Sequence, residues 1–141
     1  MKRSLLAAAV VLAGCGRFQP AVKMDHPPPR LIEVGGTIGI REMMGLPPGA
    51  IIEVKLLDVS LQDVEAQEIA RDIIEAEGRQ PPYRFSLSYH PKTIDPAHDY
   101  AVQARITVGG RLWFINDTRY PVITKNNPVR VDMILRRVGA Q

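Results

Sequence analysis

The chain carries one cysteine, Cys15, and its neighbours give that thiol a specific chemistry. Cys15 closes the run Leu12-Ala13-Gly14-Cys15, after a basic start (Lys2, Arg3) and an apolar stretch from Leu5 to Ala13. Basic, then apolar, then small residues is the order of a secretory signal peptide. The apolar stretch is too short to cross a bilayer, which takes roughly 20 residues. The four residues fit a lipoprotein signal. In such a signal the Cys15 thiol takes a diacylglyceryl group, the peptide is cut between Gly14 and Cys15, and the new amine is acylated. Several acyl chains together anchor stably, at about 0.8 kcal/mol per buried CH₂. Membrane lipid is therefore the first expected partner. Gly16 points to the outer membrane, since an Asp in its place would favour retention in the inner one.

Other reactive side chains are sparse. The three histidines are His26, His90 and His98. Asp95, His98 and Asp99 could together meet a divalent cation. They stand in the turn-like segment Asp95-Pro96-Ala97-His98-Asp99, where capping and solubility account for them, and no metal site is expected. Asp58 and Ser60 end a strand, where side-chain hydrogen bonds to the backbone are the plain reading. Asn116-Asp117-Thr118 likewise reads as a turn. No serine sits in a G-x-S-x-G elbow and no glycine-rich phosphate loop occurs. With Cys15 acylated, no thiol is left for a disulfide, a nucleophile or a cysteine metal site. A non-enzymatic protein without a cofactor is the expectation.

Removing residues 1–14 of 141 leaves 127, enough for one domain with its own core. The same cut removes Lys2 and Arg3, so the formal charge falls from +3 to +1. No dense Lys/Arg block occurs, and nucleic acid is not an expected partner. Residues 15–31 form the lipidated cysteine and a tether. Pro20 and Pro27-Pro28-Pro29 stiffen that tether toward polyproline II geometry, with a reach of roughly 50 Å at about 3.1 Å per residue. Residues 32–141 form the domain.

Alternation of period two dominates the domain. Val34, Gly36, Ile38 and Ile40 share one face of a strand. So do Ile52, Val54 and Leu56; Tyr83, Phe85, Leu87 and Tyr89; Tyr100, Val102, Ala104, Ile106 and Val108; and Val129, Val131, Met133 and Leu135. Pro47-Pro48-Gly49 and Asn126-Asn127-Pro128 are turns. Gly109-Gly110 is a two-residue hairpin loop whose glycines supply positive φ. The expected fold is all-β: a single antiparallel β-sandwich of about seven to eight short strands, with one short helix as an option. That option is Val64 to Glu77, which is rich in helix formers: taken alone it reads as a helix, and inside an all-β chain it could equally be a strand.

Tyr83, Phe85, Tyr89 and Tyr100 belong to the core by their alternation. Leu112-Trp113-Phe114-Ile115 is apolar on both faces, so it is central or covered by a partner. Trp113 and Phe114 point to opposite faces, so at least one lies outside a one-sided core. That ring is a candidate partner anchor, because aromatics are enriched at interface hot spots.

Several ordered stretches carry a family likeness. They are Gly36 to Arg41 (GTIGIR), Leu46 to Ala50 (LPPGA), Val54 to Ser60 (VKLLDVS), and Gly78 to Pro82 with Tyr83-Arg84-Phe85. Further on come Ala104 to Val108 (ARITV), Leu112 to Thr118 (LWFINDT) and Pro121-Val122-Ile123. Over about 100 residues this set resembles the YbaY-like lipoproteins, related to the YscW-type lipoprotein chaperones (pilotins) of type III secretion. The resemblance implies a β-sandwich in which Val64 to Glu77 is at least partly strand. It also implies a non-catalytic binding or assembly role at the outer membrane, facing the periplasm. The sharpest form of that role is pilotin-like chaperoning of an envelope or secretion component. A structural or glycan-associated lipoprotein without a protein client is the alternative.

Overall fold

The computed structural model describes Gly14, Gly16 and residues 27–139. Cys15 and residues 17–26 of the tether lie outside the described residues. The eight strands are β1 (Ile32–Ile40), β2 (Ala50–Asp58), β3 (Gln67–Glu75), β4 (Tyr83–Tyr89), β5 (Tyr100–Val108), β6 (Arg111–Ile115), β7 (Tyr120–Val122) and β8 (Arg130–Arg137). A single 3₁₀ turn, Pro91–Thr93, is the only helical element among the described residues.

The alternation read from the sequence becomes the wall of the core. Val34, Ile38, Ile52, Val54, Leu56 and Leu87 lose all exposure, and so do Ile106, Met133 and Leu135. Tyr83, Phe85, Tyr89 and Tyr100 are buried beside them. Each such large side chain stabilises the fold by about 1.5–3 kcal/mol over leaving it in water. Tyr83 Oη donates to the Arg79 carbonyl and Tyr100 Oη accepts from the Asp95 N–H, so neither buried phenol lacks a partner.

The turns also follow the sequence. The Ala50 N–H bonds the Pro47 carbonyl. Gly109 and Gly110 stand at φ +58 and +78 between β5 and β6, the conformation of a tight primed hairpin. Val64 to Glu77 contains β3, a strand paired with β2 from Ile51↔Glu75 to Asp58↔Gln67. Its helix formers yield to that ladder. Arg71 and Ile73 face outward, whereas Ile69 sits at a bulge and packs against the core.

The fold is all-β with eight strands, as the sequence indicates, and its sheet is mixed where the sequence reading has it wholly antiparallel. The strands form one continuous sheet in the order β3-β2-β5-β6-β8-β1-β4, with β7 added to β5, and it curls almost into a barrel. Every pair is antiparallel except β1 with β8, which is parallel from Gly35↔Arg130 to Ile40↔Leu135. A period of two tells which face a residue occupies and nothing about which way its neighbour runs. The two edge strands meet without a ladder along their seam; there the Ser86 N–H donates to Asp72 Oδ2 at 3.0 Å.

The parallel pair explains one glycine. A Cβ on Gly36 would lie 1.7 Å from the Val131 carbonyl oxygen, so β1 and β8 approach there only because residue 36 has no side chain.

Candidate functional site: the β6–β8 corner

Strand β6 holds the one tryptophan of the chain. Its ladder with β5 shifts register between Ile106 and Thr107: Ile106 faces Phe114 and Thr107 faces Leu112. Trp113 is the extra residue of a bulge, a device that re-aims a side chain. The bulge also puts Leu112 and Phe114 on opposite faces, which strict alternation would have put together.

Of the two candidate anchors, Phe114 is fully buried and belongs to the core. Its ring is not at the surface, so a direct role in partner contact falls away. Trp113 is half-buried at the rim of the same core. Arg137 at the end of β8 lies over it, with the guanidinium carbon 5.4 Å from the ring centre, within cation–π range. The Val138 N–H bonds the Trp113 carbonyl at 2.8 Å, tying the end of β8 to the bulge. Beside this pair, β6 and β8 join through Phe114↔Arg137 and Ile115↔Arg136.

A shallow depression of about 360 Å³ opens at this join, lined among others by Arg41, Ile115, Arg137 and Val138. Leu112, Ile115 and Val138 are each about two-fifths exposed. Arg136 pairs with Asp117, whose carboxyl that guanidinium holds below the usual range, with the Arg136 pKa raised in return. Glu42 Oε1 accepts the Arg137 N–H at 3.3 Å. Arg41, Arg111 and Arg137 are exposed, and among the described residues none of them reaches a carboxylate. Sequence reasoning found Trp113 and missed these arginines. Arg111 adjoins Leu112-Trp113 and was legible; Arg137 comes near only through the β6–β8 pairing.

The other polar cluster lies at the opposite end of the fold. His98 Nδ1 meets Asp58 Oδ2 at 2.7 Å. Asp58 Oδ1 accepts from the Ser60 N–H and hydroxyl, and Ser60 Oγ accepts the Asp99 N–H. Thr124 Oγ1 donates to the His98 carbonyl, and Lys125 pairs with Asp99. The hydrogen bond to Asp58 raises the His98 pKa. Burial pushes Asp58 up, but the bonds from Ser60 and His98 outweigh it and leave the carboxyl below its ordinary range. Ser60 makes no bond to His98, so these residues form a knot between loops and not a relay with an activated nucleophile. Asp95 caps its own turn through the Ala97 N–H. Among the described residues no group of three or more His, Cys, Asp or Glu side chains is arranged to hold a metal ion.

Residues 30–135 match the family described as type III secretion system lipoprotein chaperone (YscW). The chain belongs to this family. It is 36% identical over 117 residues to the uncharacterized lipoprotein YbaY of Escherichia coli K12, covering 83% of the chain and 57% of that protein. The chain thus spans little more than half the length of that relative. It also matches the structure of an alternative pilotin from the type II secretion system of Vibrio cholerae. That match has a TM-score of 0.75 and 39% identity, over 79% of this chain and all of the pilotin. Membership makes the chain a non-enzymatic, envelope-associated lipoprotein whose relatives include proteins described as a secretion chaperone and a pilotin.

Proposed function

We propose that the chain is held in the outer membrane by acylated Cys15 and that its periplasmic domain acts as a pilotin-like chaperone of an envelope or secretion-system protein. The observation that carries this reading is the likeness to the Vibrio cholerae pilotin over that protein's whole length. Fold and sequence agree there over the whole of the solved pilotin chain. The family is that of a type III secretion chaperone, whereas the matched pilotin belongs to a type II system. The client is therefore defined by class, as a component of an envelope secretion assembly.

Trp113 is the proposed anchor for that client. A rigid aromatic on a core-backed strand offers contact area at little entropic cost. The acyl chains supply location, and the corner supplies recognition.

The test is crosslinking of the full-length lipoprotein in intact cells, capture, and mass spectrometry, with Cys15→Ser as the mislocalised control. The expected result is an outer-membrane assembly subunit enriched with the lipidated form. Enrichment of no protein above the control would overturn the chaperone reading in favour of a structural or glycan-associated role.

A further inference from the structure

The proposed function leaves open what kind of segment the corner would accept. Its chemistry is one-sided. Arg41 and Arg137, uncompensated cations, line the depression with exposed Ile115 and Val138, and uncompensated Arg111, exposed Leu112 and half-buried Trp113 adjoin it along β6. Glu42 and Asp117 are the acidic groups beside them; Asp117 is already committed to Arg136, and Glu42 accepts a backbone N–H. Guanidinium groups spaced around an apolar patch complement a chain that presents carboxylates beside apolar side chains.

Two kinds of anionic surface have that chemistry, an acidic protein segment and a phospholipid leaflet. The topology favours the protein. The tether enters at Ile32, the first residue of β1, whereas Arg41 follows its last, Ile40. Because β8 runs parallel to β1, Arg137 and Val138 fall at that same far end, with the Arg41 N–H bonded to the Leu135 carbonyl. Nine residues of strand separate the tether root from the corner, roughly 30 Å at about 3.3 Å per residue. A site at the end of the domain remote from the tether root is better placed to meet another envelope protein than the leaflet that holds the anchor.

We propose that the β6–β8 corner is a docking site for an acidic peptide segment that carries interspersed apolar side chains. Its carboxylates meet Arg41, Arg111 and Arg137, and its apolar groups cover Trp113, Leu112 and Val138. This inference rests on the chaperone reading and names the chemistry of the client segment.

Trp113, as the only tryptophan, reports on its own site. The full-length lipoprotein in neutral detergent is titrated with three short synthetic peptides. They share the same leucines and carry glutamate, glutamine or lysine at every other position. The expected result is a shift of Trp113 emission with the glutamate peptide, at an affinity about tenfold above the lysine peptide and falling with salt. Arg111→Ala and Arg137→Ala should each weaken it by roughly fivefold, and Arg137→Lys should retain part of it. Equal affinity for the glutamate and lysine peptides, or binding of none, would overturn the proposal. A Trp113 shift seen only with phosphatidylglycerol vesicles would also overturn it, by assigning the corner to the membrane. A client captured in cells equally well by Arg111→Ala and Arg137→Ala would sink the corner while leaving the chaperone reading intact. Glutamate-selective binding with no client in cells would support the corner and sink the chaperone reading.

Discussion

Arg137 covers Trp113 at 5.4 Å at the rim of the core, while the adjacent Phe114 is sealed inside it. Neighbours in sequence thus have separable roles. Trp113→Ala should reduce client capture and leave the domain folded, shifting stability by about 1–2 kcal/mol. Phe114→Ala should cost about 3–5 kcal/mol through the cavity it leaves. Urea unfolding beside a capture assay distinguishes them; unchanged capture by a folded Trp113→Ala would remove the anchor role.

The β1–β8 contact predicts unequal effects at two consecutive glycines. Gly36→Ala forces a methyl group into the Val131 carbonyl and should cost about 3 kcal/mol or more. At Gly35 the nearest atom to a Cβ is the Phe85 carbonyl oxygen, at 3.4 Å, so Gly35→Ala should fall within about 1 kcal/mol of the parent. Thermal unfolding of the two variants makes the comparison, and equal loss in both would show that the parallel pairing is wrong.

The knot around His98 should depend on pH in a stated direction. Its folded pKa lies above the ordinary 6.5, so its contribution is complete below that value and is lost as pH rises through the raised one. Asp58 lies below its ordinary 3.8, so its contribution is present above that value and is lost as pH falls through the lowered one. The pair therefore holds best in mildly acidic solution. Asp95, Asp99 and Lys125 are the other charges around the ring. An NMR titration of the His98 ring should show a midpoint above 6.5 that moves down in Asp58→Asn. A midpoint at or below the ordinary value would contradict the ion pair.

The turn between β7 and β8 places Lys125 and Asn126 at φ +57 and +65, with the Asn127 N–H bonded to the Thr124 carbonyl. This is a primed turn, and Asn is one of the few side chains that adopts it readily. Asn126→Ala should cost about 1 kcal/mol, while Asn126→Gly should match or exceed the parent in melting temperature. Equal melting temperatures for the two variants would show that the turn is not held in this conformation.

Much of the core was legible because alternation reports burial directly. Val34 to Ile40 and Tyr83 to Tyr89 turn the expected faces inward, and Gly109-Gly110 makes the expected hairpin. The segment before Glu77 was readable as strand only through the family resemblance, since its residues favour a helix when taken alone. The parallel β1–β8 pair was not legible, because pairing partners more than 90 residues apart leave no local mark. The same distance in sequence separates Arg137 from β1, and the β6–β8 pairing that brings it over Trp113 was equally hidden. The bulge at Trp113 was hidden too, because an extra residue in one strand is defined by its partner.

The Thr37 hydroxyl donates to Asp132 across 95 residues of sequence, and the ladder around it joins the domain's first strand to its last. Loop closure over such a span comes late in folding. Before β8 is made, β1 can pair only with β4, so a fragment ending before Arg130 would keep the other β1 edge open. A chain cut short there would present a bare strand edge, a template for pairing with another chain, which the last strand of the domain covers.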